Sequence, residues 1–147
     1  MSDDRAYVCN VEGAVSNGSA YLLGMRSHEE EHAAGELSLI GGTVDAETDG
    51  DVLQATVRRE IREETTVEVG EMAYVESHQF HTDDGTPVVN VVFLCQYESG
   101  TAVAAEPEEI ASVQWMSAKE ITSHPDTQPW TRRSVEKAER RRLELGW

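Results

Sequence analysis

The sequence predicts a single α/β domain, and three observations carry that expectation. β-rich apolar runs recur between Tyr7 and Met116, a stretch with apolar residues four apart (Leu53, Val57, Ile61) interrupts them, and a charged helical segment follows. A chain of 147 residues suits one domain and can bury one core.

Residues 7–15 and 20–26 are β-rich, and Ser16-Asn17-Gly18-Ser19 between them reads as a hairpin turn. Residues 27–36 are polar, contain Gly35 and read as a surface loop. A short strand over 37–40 ends in Gly41-Gly42, a second loop covers 43–50, and Asp49 or Asp51 suits the N-cap of a helix running to about Glu64. Beyond it, 67–69 and 73–81 are strand material. The turn Thr82-Asp83-Asp84-Gly85 leads into 87–97, apolar at nearly every residue and expected to be a central strand buried on both faces. Glu106-Pro107-Glu108-Glu109 is a charged loop before a strand through 113–116. Ser117 and Glu120 have capping-box spacing for a short helix, and Pro125 and Pro129 bracket a loop before a terminal helix over 131–145. No internal repeat or low-complexity linker interrupts this order.

The formal net charge is −16, with only Lys119 and Lys137 as lysines. Such an excess argues against a surface dedicated to nucleic acid and matches what dense salt would screen in a halophile. Residues 131–147 reverse the sign, with 6 basic and 3 acidic side chains, so this tail either docks on the acidic body or on a partner subunit, or forms a solvated helix face. Cys9 and Cys95 lie in apolar runs and read as buried thiols of a reducing cytosol. A polar start and the lack of any apolar run of about 20 residues lead us to expect a cytoplasmic protein without membrane contact.

The most informative segment is Arg59-Glu60-Ile61-Arg62-Glu63-Glu64. On a helix, Glu60, Glu63 and Glu64 share a sector of roughly 100°, where like charges repel. A counter-charge is needed, and hard divalent cations such as Mg²⁺ take carboxylate oxygens. The plain reading is a solvated face with i,i+4 ion pairs, reasonable in a chain with 20 glutamates. His28-Glu29-Glu30-Glu31-His32 matches the H-E-x-x-H pattern of zinc peptidases, but no apolar periodicity surrounds it and Ala33-Ala34-Gly35 breaks the run, so it reads as loop. Trp115 reads as core, and His78 and His81 as surface residues.

Together these residues resemble the Nudix family, whose box is G-x5-E-x7-R-E-U-x-E-E-x-G-U, U being aliphatic. Residues 59–67 fit its second half except that Thr66 replaces glycine, and Gly41-Gly42 fits its start. Either Asp51 stands for the first glutamate at the end of a loop about three residues longer than usual, or Glu47 does and the extra residues follow it. As an order of elements the resemblance covers residues 7–121. It implies an α/β/α sandwich with a mixed β-sheet, the box helix on one side and the terminal helix on another. It also implies a Mg²⁺-dependent pyrophosphohydrolase, with Mn²⁺ as a substitute, cleaving a nucleoside diphosphate linked to another group. Glu60 and Glu64 would be direct metal ligands, Glu63 a ligand directly or through water, and the Gly41 carbonyl a further one. Arg59 would orient the carboxylates, Arg26 would contact phosphate (its plain reading, a strand-end surface arginine, stands equally), and the general base is Glu60, Glu108 or Glu109. The partner implied is a small nucleotide-type molecule, and the resemblance with Trp130 and Trp147 points to a homodimer. The alternative is a catalytically impaired nucleotide-sensing module: Thr66 and the long loop favour it, and retention of all three helix glutamates opposes it. Subgroup markers that would fix the substrate are replaced here by Asp83-Asp84-Gly85.

Overall fold

The structure, a computed structural model, describes residues 6–28 and 34–147. β1 (Val8–Asn17) and β2 (Ala20–Arg26) meet as a hairpin around Gly18-Ser19, but only at Ser16↔Tyr21 and Asn17↔Ala20. Beyond those pairs they part. β2 pairs with β3 (Leu37–Ser38) and β7 (Ile110–Ser117), both antiparallel. β1 takes β4 (Ile40–Thr43) antiparallel on the vacated edge and β6 (Pro87–Ser99) parallel on the other, from Val8↔Val88 to Ser16↔Gln96. β5 (Glu68–His81) completes a seven-stranded mixed sheet as the antiparallel neighbour of β6.

Alternation along β6 builds two cores. Val91, Phe93 and Cys95 pack with Val57 and Ile61 of α1 (Val52–Thr65) on one face. Val92 and Leu94 pack with Ile121 of α2 (Ala118–Ser123) and with Val135 and Ala138 of α3 (Pro129–Leu145) on the other. Each such side chain contributes roughly 1.5–3 kcal/mol on full burial, so the expected doubly buried strand is the spine of the sandwich.

Several boundaries differ from the sequence-based expectation. The strand expected to stop before Gly41-Gly42 runs through both glycines to Thr43, because they pair with Glu12 and Val11 of β1. The runs 67–69 and 73–81 are one strand whose register shifts absorb Gly70 and Glu71, and Arg58 of α1 donates to the carbonyls of Val69 and Gly70 there. Asp51 occupies the N-cap of α1, yet its carboxylate makes no capping bond. The capping box of α2 forms as expected, with the Glu120 N–H donating to Ser117 Oγ at 3.1 Å and the Ser117 N–H to Glu120 Oε1 at 3.0 Å. α3 starts two residues early, since Pro129 fits its first position, where a missing N–H costs nothing.

The basic tail docks on the body. Ser134 Oγ donates to Glu76 Oε2 at 2.6 Å and Lys137 Nζ to Glu76 Oε1 at 3.1 Å. Burial raises the Glu76 carboxyl, but these two donors outweigh it and hold the pKa below the usual carboxylate range. Cys95 is buried and its thiol is pushed up to about 12, whereas Cys9 is only half-buried at the start of β1. Trp115 is half-buried, edge-on to Tyr97 at 5.6 Å, and Trp147 packs half-buried beside α3's core face. Residues 29–32 of the H-E-x-x-H motif lie outside the described residues. No described helix is long and apolar enough to cross a membrane.

Candidate active site

α1 grades its three carboxylates from the interior outward. Glu64 is 6% exposed, while the side chains of Glu60 and Glu63 are 19% and 51% exposed. Val57 and Ile61 press the apolar stripe onto the sheet, so Glu64, three residues after Ile61, is carried inward with it.

The segment between β6 and β7 meets the end of this helix. The Val103 N–H donates to the Thr65 carbonyl at 3.1 Å and the Ala105 N–H to the Glu64 carbonyl at 3.0 Å, which brings Glu106 alongside. The N–H groups of Glu109 and Ile110 then donate to the Glu106 carbonyl at 2.9 Å, closing a turn that turns Glu106 and Glu109 to one side. Carboxylate oxygens of Glu64, Glu106 and Glu109 all lie within 4.8 Å of one another. Oε2 of Glu64 is buried and has no hydrogen-bond partner among the described residues. Burial first, then the charges of Glu60, Glu109 and Glu106, push the Glu64 pKa up to about 8. Glu106 is also raised, by desolvation and by Glu109, Glu63 and Glu60.

A cluster with an unbonded buried oxygen fits a divalent cation, which would supply the missing charge and take the free lone pairs. Glu106 was not a sequence-derived candidate. The signal for it was the three-residue spacing to Glu109 around Pro107. Glu108, the neighbouring candidate, is exposed and outside the three-carboxylate group.

Arg59 stands among carboxylates, 3.3 Å from Glu60 Oε1, 3.6 Å from Asp45 Oδ2 and 3.9 Å from Glu63 Oε1. These pairs are partly exposed, so they orient more than they stabilise. The acid of the lengthened loop that reaches Arg59 is Asp45. The Glu47 N–H and the Thr48 hydroxyl hold the Asp45 pKa below its ordinary value.

β4 passes close under this group. A Cβ on Gly42 would lie 2.6 Å from Glu60 Cδ, and one on Gly41 would lie 2.0 Å from the Val11 carbonyl oxygen. Arg26 ends β2 opposite Ile110, and the Ser27 N–H donates to the Glu109 carbonyl at 2.9 Å, so Arg26 and Glu109 border the same space.

That space is a cavity of about 500 Å³ bordered by Arg26, Gly41, Gly42, Glu60, Glu64 and Glu109. It shares Asn10, Glu12, Glu36, Phe80 and Trp130 with a second cavity of about 500 Å³ that adds His78, Gln79, Asn90 and Arg133. On the wall between them, Asn10 Nδ2 donates to Asn90 Oδ1 at 2.6 Å and Asn90 Nδ2 to Glu12 Oε1 at 2.8 Å. Burial pushes the Glu12 pKa up, against Asn90 and the Arg26 charge, which pull it down. Trp130 and Phe80 are 48% and 46% exposed there, large apolar surfaces facing an opening. The structure thus gathers Arg26, Gly41, Glu60, Glu64 and Glu109 on one cavity and leaves Glu63 beside Arg59.

Comparison with known proteins adds the family. A profile of the NUDIX domain matches residues 6–138. The NAD-capped RNA hydrolase NudC of Vibrio atlanticus (strain LGP32) is 28% identical over 125 residues, covering 85% of this chain and 41% of that protein. This chain therefore spans less than half the length of the curated relatives it matches. The MutT NUDIX hydrolase from Burkholderia pseudomallei superposes with a TM-score of 0.77 at 22% identity, over 90% of this chain and 98% of that one. The NUDIX domain of Shewanella oneidensis NrtR, solved with ADP ribose, gives 0.75 at 20% identity, over 95% and 90%. At such identities the two structures speak to fold alone, and the domain match speaks to descent. The chain belongs to the NUDIX domain family.

Proposed function

We propose that this protein hydrolyses the pyrophosphate bond of a nucleoside diphosphate joined to a second group, with Mg²⁺ as cofactor and Mn²⁺ as a substitute. The observation that carries the reading is the Glu64–Glu106–Glu109 cluster, with its unbonded Glu64 oxygen, beside a two-part cleft. Glu64, Glu106 and Glu109 would hold the ion with Glu60 and the Gly41 carbonyl, and Glu63 would act through water. Bound there, the ion would neutralise the phosphate oxygens and lower the pKa of the attacking water.

The chain's own residues do the rest. Arg26, which borders the same cavity, takes phosphate oxygens, and Arg59 holds Glu60 and Glu63 in place. A carboxylate must take the proton of the attacking water. Glu60 and Glu109 border the cavity and Glu108 does not, which favours as the base whichever of the first two keeps an oxygen off the ion. In the second part of the cleft, Trp130 and Phe80 offer faces for stacking and the Asn10–Asn90–Glu12 chain offers polar edges, a combination suited to a nucleobase. Relatives named for NAD-capped RNA support a substrate in which a nucleoside diphosphate is joined to a second group.

The test is a Mg²⁺-dependent assay over nucleoside triphosphates, dinucleoside polyphosphates, NAD and ADP-ribose, at low and high salt. Release of a nucleotide and a phosphorylated product supports the proposal. Tight nucleotide binding by calorimetry without product would mean a sensing module instead. For the best substrate, Trp130→Ala should raise KM about 10-fold with kcat little changed, the size expected for one lost base stack. An unaltered KM would remove Trp130 from the site.

A further inference from the structure

α1 ends at Thr66, which has φ 62° and ψ 10° and is the one non-glycine residue with positive φ among the described residues. A β-branched side chain is strained in this left-handed region, and glycine would adopt it freely. The strain is met by a specific bond, since Thr66 Oγ1 donates to the Thr101 carbonyl at 2.7 Å.

The segment caught in this way leaves β6 at Gly100, which approaches Thr66 so closely that a Cβ on it would lie 2.6 Å from the Thr66 carbonyl oxygen. From there it climbs the end of α1, giving its N–H groups at Val103 and Ala105 to the carbonyls of Thr65 and Glu64, and the next residue is Glu106. One run of bonds therefore links the Thr66 hydroxyl to the spacing between Glu64 and Glu106. Mutual repulsion drives these carboxylates apart, so whatever fixes the segment also fixes the cluster.

We infer that Thr66 is a positioning residue: its hydroxyl tethers the 101–106 segment to the end of α1 and thereby sets Glu106 against Glu64 for divalent-cation binding. The inference rests on the reading of Glu64, Glu106 and Glu109 as the cation site. Thr66→Gly separates two effects that a simple helix cap would join, because it relieves the strain while removing the hydroxyl. Thr66→Ser keeps the hydroxyl.

The experiment is calorimetric titration of Mn²⁺ into the wild type, Thr66→Gly, Thr66→Ser and Glu64→Gln, with thermal denaturation of each in the absence of metal. Expected are a Tm for Thr66→Gly equal to or above that of the wild type, a Mn²⁺ Kd raised about 5-fold or more, and recovery to within about 2-fold in Thr66→Ser. Wild-type affinity in Thr66→Gly, or an affinity loss that tracks a fall in Tm, would overturn the tether. If Glu64→Gln abolishes binding and Thr66→Gly does not, only the tether fails. If the wild type binds no Mn²⁺, the cation-site reading fails and takes the tether with it.

Discussion

Glu64→Gln should cut Mg²⁺-dependent turnover by about 100-fold or more while leaving the metal-free protein folded, and more stable than the wild type above pH 7. Both effects come from one environment. The Glu64 carboxylate is buried among Glu60, Glu106 and Glu109, and its pKa stands at about 8 against an ordinary 4.5. An acid whose pKa is raised on folding binds more protons in the native state than in the unfolded one. Metal-free stability therefore falls as pH climbs from about 4.5 to about 8, by up to roughly 1.4 kcal/mol per unit. Bound cation supplies the charge that the proton supplied. Mg²⁺ should accordingly raise the Tm more at pH 8.5 than at pH 5.5, and Glu64→Gln should lose both the pH slope and the Mg²⁺ response. Thermal melts across that range with and without Mg²⁺ decide it. A wild-type Tm insensitive to Mg²⁺ at pH 8.5 would argue against a cation at Glu64.

Gly41→Ala should destabilise the fold by about 3 kcal/mol or more, a large share of the 5–15 kcal/mol typical of a domain. The added methyl would lie 2.0 Å from the Val11 carbonyl oxygen and 2.8 Å from Glu12 Cα, both backbone atoms of the paired strand. Backbone in the middle of a sheet cannot step aside. Gly42→Ala provides the contrast: its methyl would meet the end of the flexible Glu60 side chain at 2.6 Å, and that side chain can move. Its stability should stay within about 1 kcal/mol of the wild type while turnover drops about 10-fold through the displaced Glu60. Urea midpoints and kcat for the two variants check this pair. Equal stability of both would show that β4 is not held against β1 as described.

The two glycines illustrate what could be read in the chain and what could not. Local pattern was legible: the stripe Leu53, Val57, Ile61 gave α1, the Ser117–Glu120 spacing gave a real capping box, and the doubly apolar run gave β6. The carboxylate sector of α1 was equally clear, because helical spacing alone sets it. Pairing was not legible. Nothing local says that β1 abandons β2 after two residue pairs, and so that Gly41 and Gly42 lie inside a strand. Glu106 escaped for the same reason, since it joins Glu64 only through backbone bonds between segments about forty residues apart in sequence. Arg59 meets Glu63, as helical spacing suggested, but also Asp45, a loop residue that no spacing singled out and that accepts from the Thr48 N–H. Thr66 broke a family pattern, and only the geometry shows the bond that accompanies the break.

The parting of β1 from β2 also bears on how the chain folds. β1 finds its long neighbour in β6, with Val8 opposite Val88, so this pairing closes a loop of eighty residues. The Asn90–Glu12 bond on the cleft wall spans 78 residues and cannot precede that closure. Contacts of such long range slow folding, since the entropy of closing the loop is lost before the pairing rewards it. The carboxylate helix is set by local spacing, but the cleft beside it exists only once that distant pairing has been made.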